Sequence, residues 1–144
     1  MQTKYYRHLS PKHILVSLLV MSFVAIFLAG CATTADKLDK LTLAARGYEK
    51  ALRWSKYDMA YSFYKWENGE QPVIPEELKS IRITKYLVAN RKFDEDTMTA
   101  EQVVTIHYYH QSDLRERELE DHQKWKFFKE EGRWYLTSKP PMFK

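Results

Sequence analysis

Hydrophobic and polar positions change period twice along this chain, and each change marks a new kind of element. Ile14 to Leu28 is an apolar run whose only polar members are Ser17 and Ser22. Beyond it Leu38, Leu41, Ala45, Tyr48, Ala51 or Leu52, and Ser55 recur at spacings of three and four, one face of an α-helix. The spacing predicts a helix over 36–55, with Thr33 or Asp36 able to cap it by accepting the free amide protons of its first turn. Gly47 inside that helix costs about 1 kcal/mol relative to alanine, which points to close packing of another backbone there. A break near Ser55-Lys56 leads to a shorter helical stretch, 57–64, carried by Tyr57, Ala60, Tyr61 and Tyr64.

Residues 67–75 contain Asn68-Gly69, Pro72 and Pro75 and read as a loop, with one helical turn following Pro75. From residue 80 the period is that of strands. The first covers 81–93, and its same-face set changes along its length, so a bulge or bend is expected. A charged turn at Asp94-Glu95-Asp96 precedes a β-branched and aromatic strand over 103–109, and Asp113 marks the next reversal. The third strand, 117–129, puts Leu119, Asp121, Gln123, Trp125 and Phe127 on one face. A glycine turn at 130–133 and a fourth strand from Trp134 follow, ended by Pro140-Pro141. Two helices and then hairpin-linked strands give an α+β fold, N-terminal amphipathic helices packed on a curved antiparallel sheet of about four strands. Trp125, Phe127, Trp134 and Leu136 are the expected helix-facing side chains.

Composition changes the picture in two ways. The net charge of +4 includes Lys4, Arg7 and Lys12 ahead of the apolar run. Residues 31–144 hold 20 Lys+Arg against 19 Asp+Glu, a net of +1, so no basic footprint for nucleic acid remains. About 114 residues make one domain. Cys31 is the only cysteine, which leaves the domain without a disulfide, and all four Trp and most of the Tyr and Phe lie after residue 47.

The basic start, the apolar run and the small-residue exit form a secretory leader over 1–30. Its end, Leu28-Ala29-Gly30-Cys31, resembles the lipobox of bacterial lipoprotein precursors. The resemblance implies cleavage between Gly30 and Cys31 and a palmitate-type lipid on the Cys31 sulfur, the one covalent group expected, with no other cofactor. Ala32, where an aspartate would signal retention in the inner membrane, implies an outer-membrane anchor facing the periplasm. Residues 31–35 are then a lipidated tether and 36–144 the domain. Each buried methylene contributes roughly 0.8 kcal/mol, so two or three acyl chains hold a protein on the membrane durably.

The element order, with Arg53-Trp54-Ser55-Lys56-Tyr57 at the helix break and Lys124-Trp125-Lys126-Phe127-Phe128 running into Gly132-Arg133-Trp134 at the last hairpin, is similar to the nuclear transport factor 2-like (cystatin-like cone) superfamily. That resemblance implies a curved sheet wrapped on a long helix, often enclosing a pocket. Its enzymes and binding modules share one shell, so fold does not give function.

Little in the sequence is catalytic. His107, His110, Asp121 and His122 sit on neighbouring strands, and the pairing to test is His107 with Asp121 facing the interior. Polar cross-strand pairs on a solvated sheet explain the same residues. No metal site is expected, because there is no free cysteine and no H-x-x-x-H spacing. Six large rings fall within thirteen residues: Trp54, Tyr57, Tyr61, Phe63, Tyr64 and Trp66. They exceed what one buried stripe uses, and some must reach solvent, a pocket or a partner. Trp54, Tyr57, Tyr61, Tyr64 and Trp66, together with His107, Asp121, Trp125 and Trp134, are the candidate pocket or interface residues. The expectation is a non-enzymatic, lipid-anchored envelope lipoprotein acting through an envelope protein partner. The alternative is a module binding a small apolar ligand beneath the 67–75 loop, and after it a hydrolase or isomerase using His107 and Asp121.

Overall fold

A helix, a helical turn and a four-stranded meander build the domain in the order of the chain. The computed structural model describes residues 34–66 and 68–144. The leader, Gly30 and Cys31 of the lipobox, Thr33 and Glu67 lie outside the described residues. Leu38–Lys144 forms one compact body.

Helix α1 covers 34–53 among the described residues, so Asp36 lies within it and does not cap it. Its face of Leu41, Ala45, Tyr48, Ala51 and Leu52 is buried, as the three-and-four spacing requires. The helix ends in a left-handed cap at Ser55, φ 52°. Ser55 N–H donates to Leu52 O (3.0 Å) and Lys56 N–H to Ala51 O (2.8 Å), satisfying carbonyls the last turn would leave open. Helix α2, Tyr57–Tyr61, is shorter than its periodicity suggested, because the chain must straighten to bring 63–65 alongside the sheet. There Leu136 N–H donates to Phe63 O (2.8 Å) and Lys65 N–H to Leu136 O (3.0 Å), which covers the outer edge of the last strand.

A 3-10 helix, Glu76–Ser80, leads into β1 (Ile81–Asp94), β2 (Thr99–His110), β3 (Glu116–Phe128) and β4 (Arg133–Leu136). All neighbours are antiparallel, in the order β1-β2-β3-β4. The expected irregularity in β1 is real: its register with β2 shifts between Ile83 and Lys85 and again between Ala89 and Lys92. β2 starts four residues before the sequence reading placed it. One face of the sheet lies under α1, and a single apolar cluster joins Tyr48 and Leu52 to Ile106, Trp125 and Leu136. Trp125, Trp134 and Leu136 are buried in it as expected, and Phe127 packs at its margin. This is an α+β domain with its main helix on one face of an antiparallel sheet. Among the described residues no helix is long and apolar enough to cross a membrane.

Candidate functional site

The buried face of the sheet is not apolar throughout. On β2 the inward residues are Ala100, Gln102, Val104, Ile106 and Tyr108, and on β3 Asp121, Gln123 and Trp125. The register pairs Ala100 with Trp125, Gln102 with Gln123 and Val104 with Asp121. Two glutamines and an aspartate therefore sit beneath α1, and all three are buried.

Burying such groups costs free energy unless they are bonded, and here they bond one another. Gln123 Nε2 donates to Tyr86 Oη and to Asp121 Oδ2, both at 2.7 Å. Gln123 Oε1 accepts from Gln102 Nε2 (2.6 Å) and from Trp125 Nε1 (3.3 Å). Gln102 Oε1 accepts from Arg91 Nε at 2.7 Å. Nearby, the hydroxyls of Tyr48 and Tyr64 bond at 2.7 Å. Among the described residues no buried side-chain nitrogen or oxygen lacks a partner.

Burial dominates the electrostatics. It pushes the Asp121 carboxyl up to about 6, with the Gln123 bond and the nearby His122 pulling the other way. Tyr48, Tyr64 and Tyr86 are also held well above the ordinary phenol value by burial, with Asp121 adding to each shift.

His107 and Asp121 are not brought together, which corrects the pairing drawn from the sequence. His107 pairs with Glu118 across the β2–β3 ladder and lies on the outer face, 3.5 Å from the Glu118 carboxylate. Asp121 pairs with Val104 on the inner face, 5% exposed. The register sets odd positions of β2 opposite even positions of β3, so two odd-numbered residues on these strands face opposite ways. Histidine 122 is also outward, 2.7 Å from Glu120. Among the described residues no group of three or more His, Cys, Asp or Glu side chains is placed to hold a metal ion.

The aromatic surplus divides three ways. Tyr57, Tyr61 and Tyr64 are buried, with Tyr57 Oη donating to Ile81 O at 3.0 Å. Tyr61 is held up to about 12 by burial and then by Tyr57. Trp54 is 71% exposed. Trp66 stands between these extremes, its Nε1 donating to Ser138 O at 3.3 Å.

That bond helps to frame a groove of about 920 Å³ between the loop after Trp66 and the C-terminal residues. Tyr61, Trp66, Pro72, Leu78, Pro141 and Phe143 contribute its walls. The C-terminal side is anchored: Tyr108 Oη donates to Lys144 O (2.9 Å), and the Phe143 ring meets Tyr108 edge-on at 5.0 Å. Val73 and Met142, 87% and 79% exposed, stand among its lining residues as apolar side chains facing solvent.

The sequence offers a ligand site beneath this loop only as an alternative reading, and the buried polar chain goes unread in it. Its signal was present: Asp121 and Gln123 interrupt an otherwise apolar stripe on β3. No family model, curated protein or solved structure matches the chain.

Proposed function

We propose that the protein is a non-enzymatic envelope lipoprotein, anchored through a lipid on Cys31 to the periplasmic face of the outer membrane, that binds a small apolar ligand in the groove between Trp66 and Phe143. The groove itself is the observation that carries this reading. Its volume of about 920 Å³ falls in the range of small-molecule sites, and most of its lining residues are apolar or aromatic, with Glu70, Gln71, Glu77, Lys139 and Lys144 as the polar remainder. Exposed apolar side chains at Val73 and Met142 carry a solvation cost that a bound apolar molecule would relieve. A lipid on Cys31 would hold the domain at a membrane, where apolar molecules are found.

A photoactivatable fatty acid supplied to membranes carrying the full chain tests the reading. Adducts are expected on the tryptic peptides holding Trp66 and Phe143, with severalfold less label in Trp66→Ala and Phe143→Ala. Labelling spread equally over exposed apolar residues such as Leu87 and Leu114 would reject a defined site.

Contact with an envelope protein keeps one feature in its favour, the exposed Trp54, followed five residues later by exposed Met59. A photocrosslinking aromatic at position 54 that forms one discrete adduct in intact cells supports that role. Absence of any adduct removes it.

A further inference from the structure

Two smaller hollows, of about 410 and 620 Å³, share three lining residues: Asn90, Arg91 and Gln102. The first is otherwise lined from α1 and the inner side of β1, by groups such as Arg46, Glu49 and Tyr86. The second opens on the outer face, beside Lys92, Glu101 and Lys124. They meet where β1 leaves register: Ala89 pairs with Val103 and Lys92 with Glu101, so Asn90 and Arg91 together oppose Gln102 alone. Asn90 takes the left-handed conformation there, φ 49°, which bends the strand away from β2. The bulge is a window in the sheet, with the buried amide chain directly behind it.

We propose that this window is a binding site for a small organic carboxylate, clasped by the free edge of the Arg91 guanidinium and read by Gln102 and Tyr86. Arg91 is an exposed residue, yet its Nε is fixed to Gln102 Oε1 at 2.7 Å, and Gln102 is in turn fixed by Gln123. Among the described residues this is its only hydrogen bond, so the donors of both terminal nitrogens are available on a side chain that lines both hollows. A guanidinium held in that way presents the planar pair of donors that a carboxylate accepts.

Charge favours the same ligand. Arg91 is bonded to a neutral amide, so its charge is not cancelled. Arg46 and Lys92 line the hollows without an ion pair among the described residues. The acids present are already engaged, Glu49 with Arg53 at 3.6 Å and Glu101 with Lys124 at 3.5 Å. Two buried glutamines in a sheet centre are an expensive way to orient one surface arginine, unless its orientation is what the site requires. This site is independent of the apolar groove.

The test follows the side chains themselves by NMR, on the full nitrogen-labelled chain in a neutral detergent at fixed ionic strength. Acetate, succinate and citrate are titrated against acetamide, succinamide and chloride. At least one carboxylate is expected to shift the Arg91 Nε–H and the Gln102 side-chain amide together and saturably, with no response to the amides or chloride. Arg91→Gln should weaken that binding by about tenfold or more. Arg91→Lys, which keeps the charge and loses the paired donors, should weaken it less, and Arg115→Gln on the β2–β3 turn should leave it unchanged. An unmoved Trp125 indole N–H resonance shows that the buried chain survives each substitution. The proposal is overturned if no carboxylate gives a saturable shift, if the amides or chloride give the same shift, or if Arg91→Gln binds as the parent does.

Discussion

Adjacent rows on the inner face of one sheet, beneath one helix, follow opposite rules. Ala100, Trp125 and Leu136 make an apolar row, with the rings of Tyr48 and Phe63 edge-on to Trp125 at 6.0 and 6.5 Å. The next two rows hold Gln102 with Gln123 and Val104 with Asp121, and two of the smaller hollows lie beside them. Apolar packing stabilises in proportion to the area it removes from water. A polar chain of equal volume roughly breaks even at best, because its bonds replace bonds to water. The fold can therefore rest on the first region, while the second is free to serve binding. Trp125 is the seam, since its ring belongs to the apolar row and its Nε1 to the polar chain.

Removing that seam should produce the largest effect. Trp125 is almost wholly buried, and Trp125→Ala should lose about 3–5 kcal/mol, from transfer and from the cavity left behind. Urea unfolding of the full chain measures it. A loss smaller than that of Gln123→Ala would mean that the polar rows, not the apolar one, hold the sheet to the helix.

Asp121 offers a middle-sized effect of opposite sign. Its carboxyl is raised from an ordinary 3.8 to about 6, first of all by burial. The folded state thus holds this proton more tightly than the unfolded chain. The stability it contributes is complete below about 3.8 and is lost as pH rises through about 6. Two units correspond to about 3 kcal/mol. Asp121→Asn keeps an oxygen to accept from Gln123 Nε2 and carries no charge, so it should gain up to that amount near pH 8 and almost nothing near pH 4. Thermal melts of both proteins across this range decide it. An equal difference at both pH values would show that Asp121 is not a buried, strained carboxyl.

The two regions also differ in how far they were legible in the sequence. The strand from Leu119 to Phe127 and the helix face from Leu41 to Leu52 declare themselves, since apolar spacing follows the geometry of the element. The start of β2 did not, because its inward positions there are Ala100 and Gln102, neither of which looks like core. Nor did the mismatch of His107 and Asp121. Alternation along one strand shows which residues share a face, but which set faces the helix depends on hairpin register, and one residue's difference reverses it. The window at Asn90–Arg91 left no mark in the period of β1, whose expected irregularity falls earlier, between Ile83 and Tyr86. Its link to Gln102 is a cross-strand fact, which no local pattern carries.

Gly47 allows the apolar region to be probed by the smallest change. Its role follows from a side chain and not, as the sequence suggested, from another backbone. A Cβ at this position would lie 2.9 Å from Phe63 Cζ and 3.5 Å from Cε1. That ring cannot yield easily, because it is edge-on to Tyr48 at 6.2 Å and its own carbonyl accepts from Leu136 N–H at 2.8 Å. Helix propensity alone would reward Gly47→Ala by about 1 kcal/mol, so overpacking must exceed that gain for the variant to lose stability. The expected net loss is about 1 kcal/mol. In a Phe63→Leu background the obstruction is smaller, and the same substitution should become stabilising by about the propensity difference. A double-mutant cycle by urea unfolding reads this reversal of sign. If Gly47→Ala stabilises the parent as much as the Phe63→Leu protein, the apolar region has slack, and the contrast between a filled region and an open one fails at its filled end.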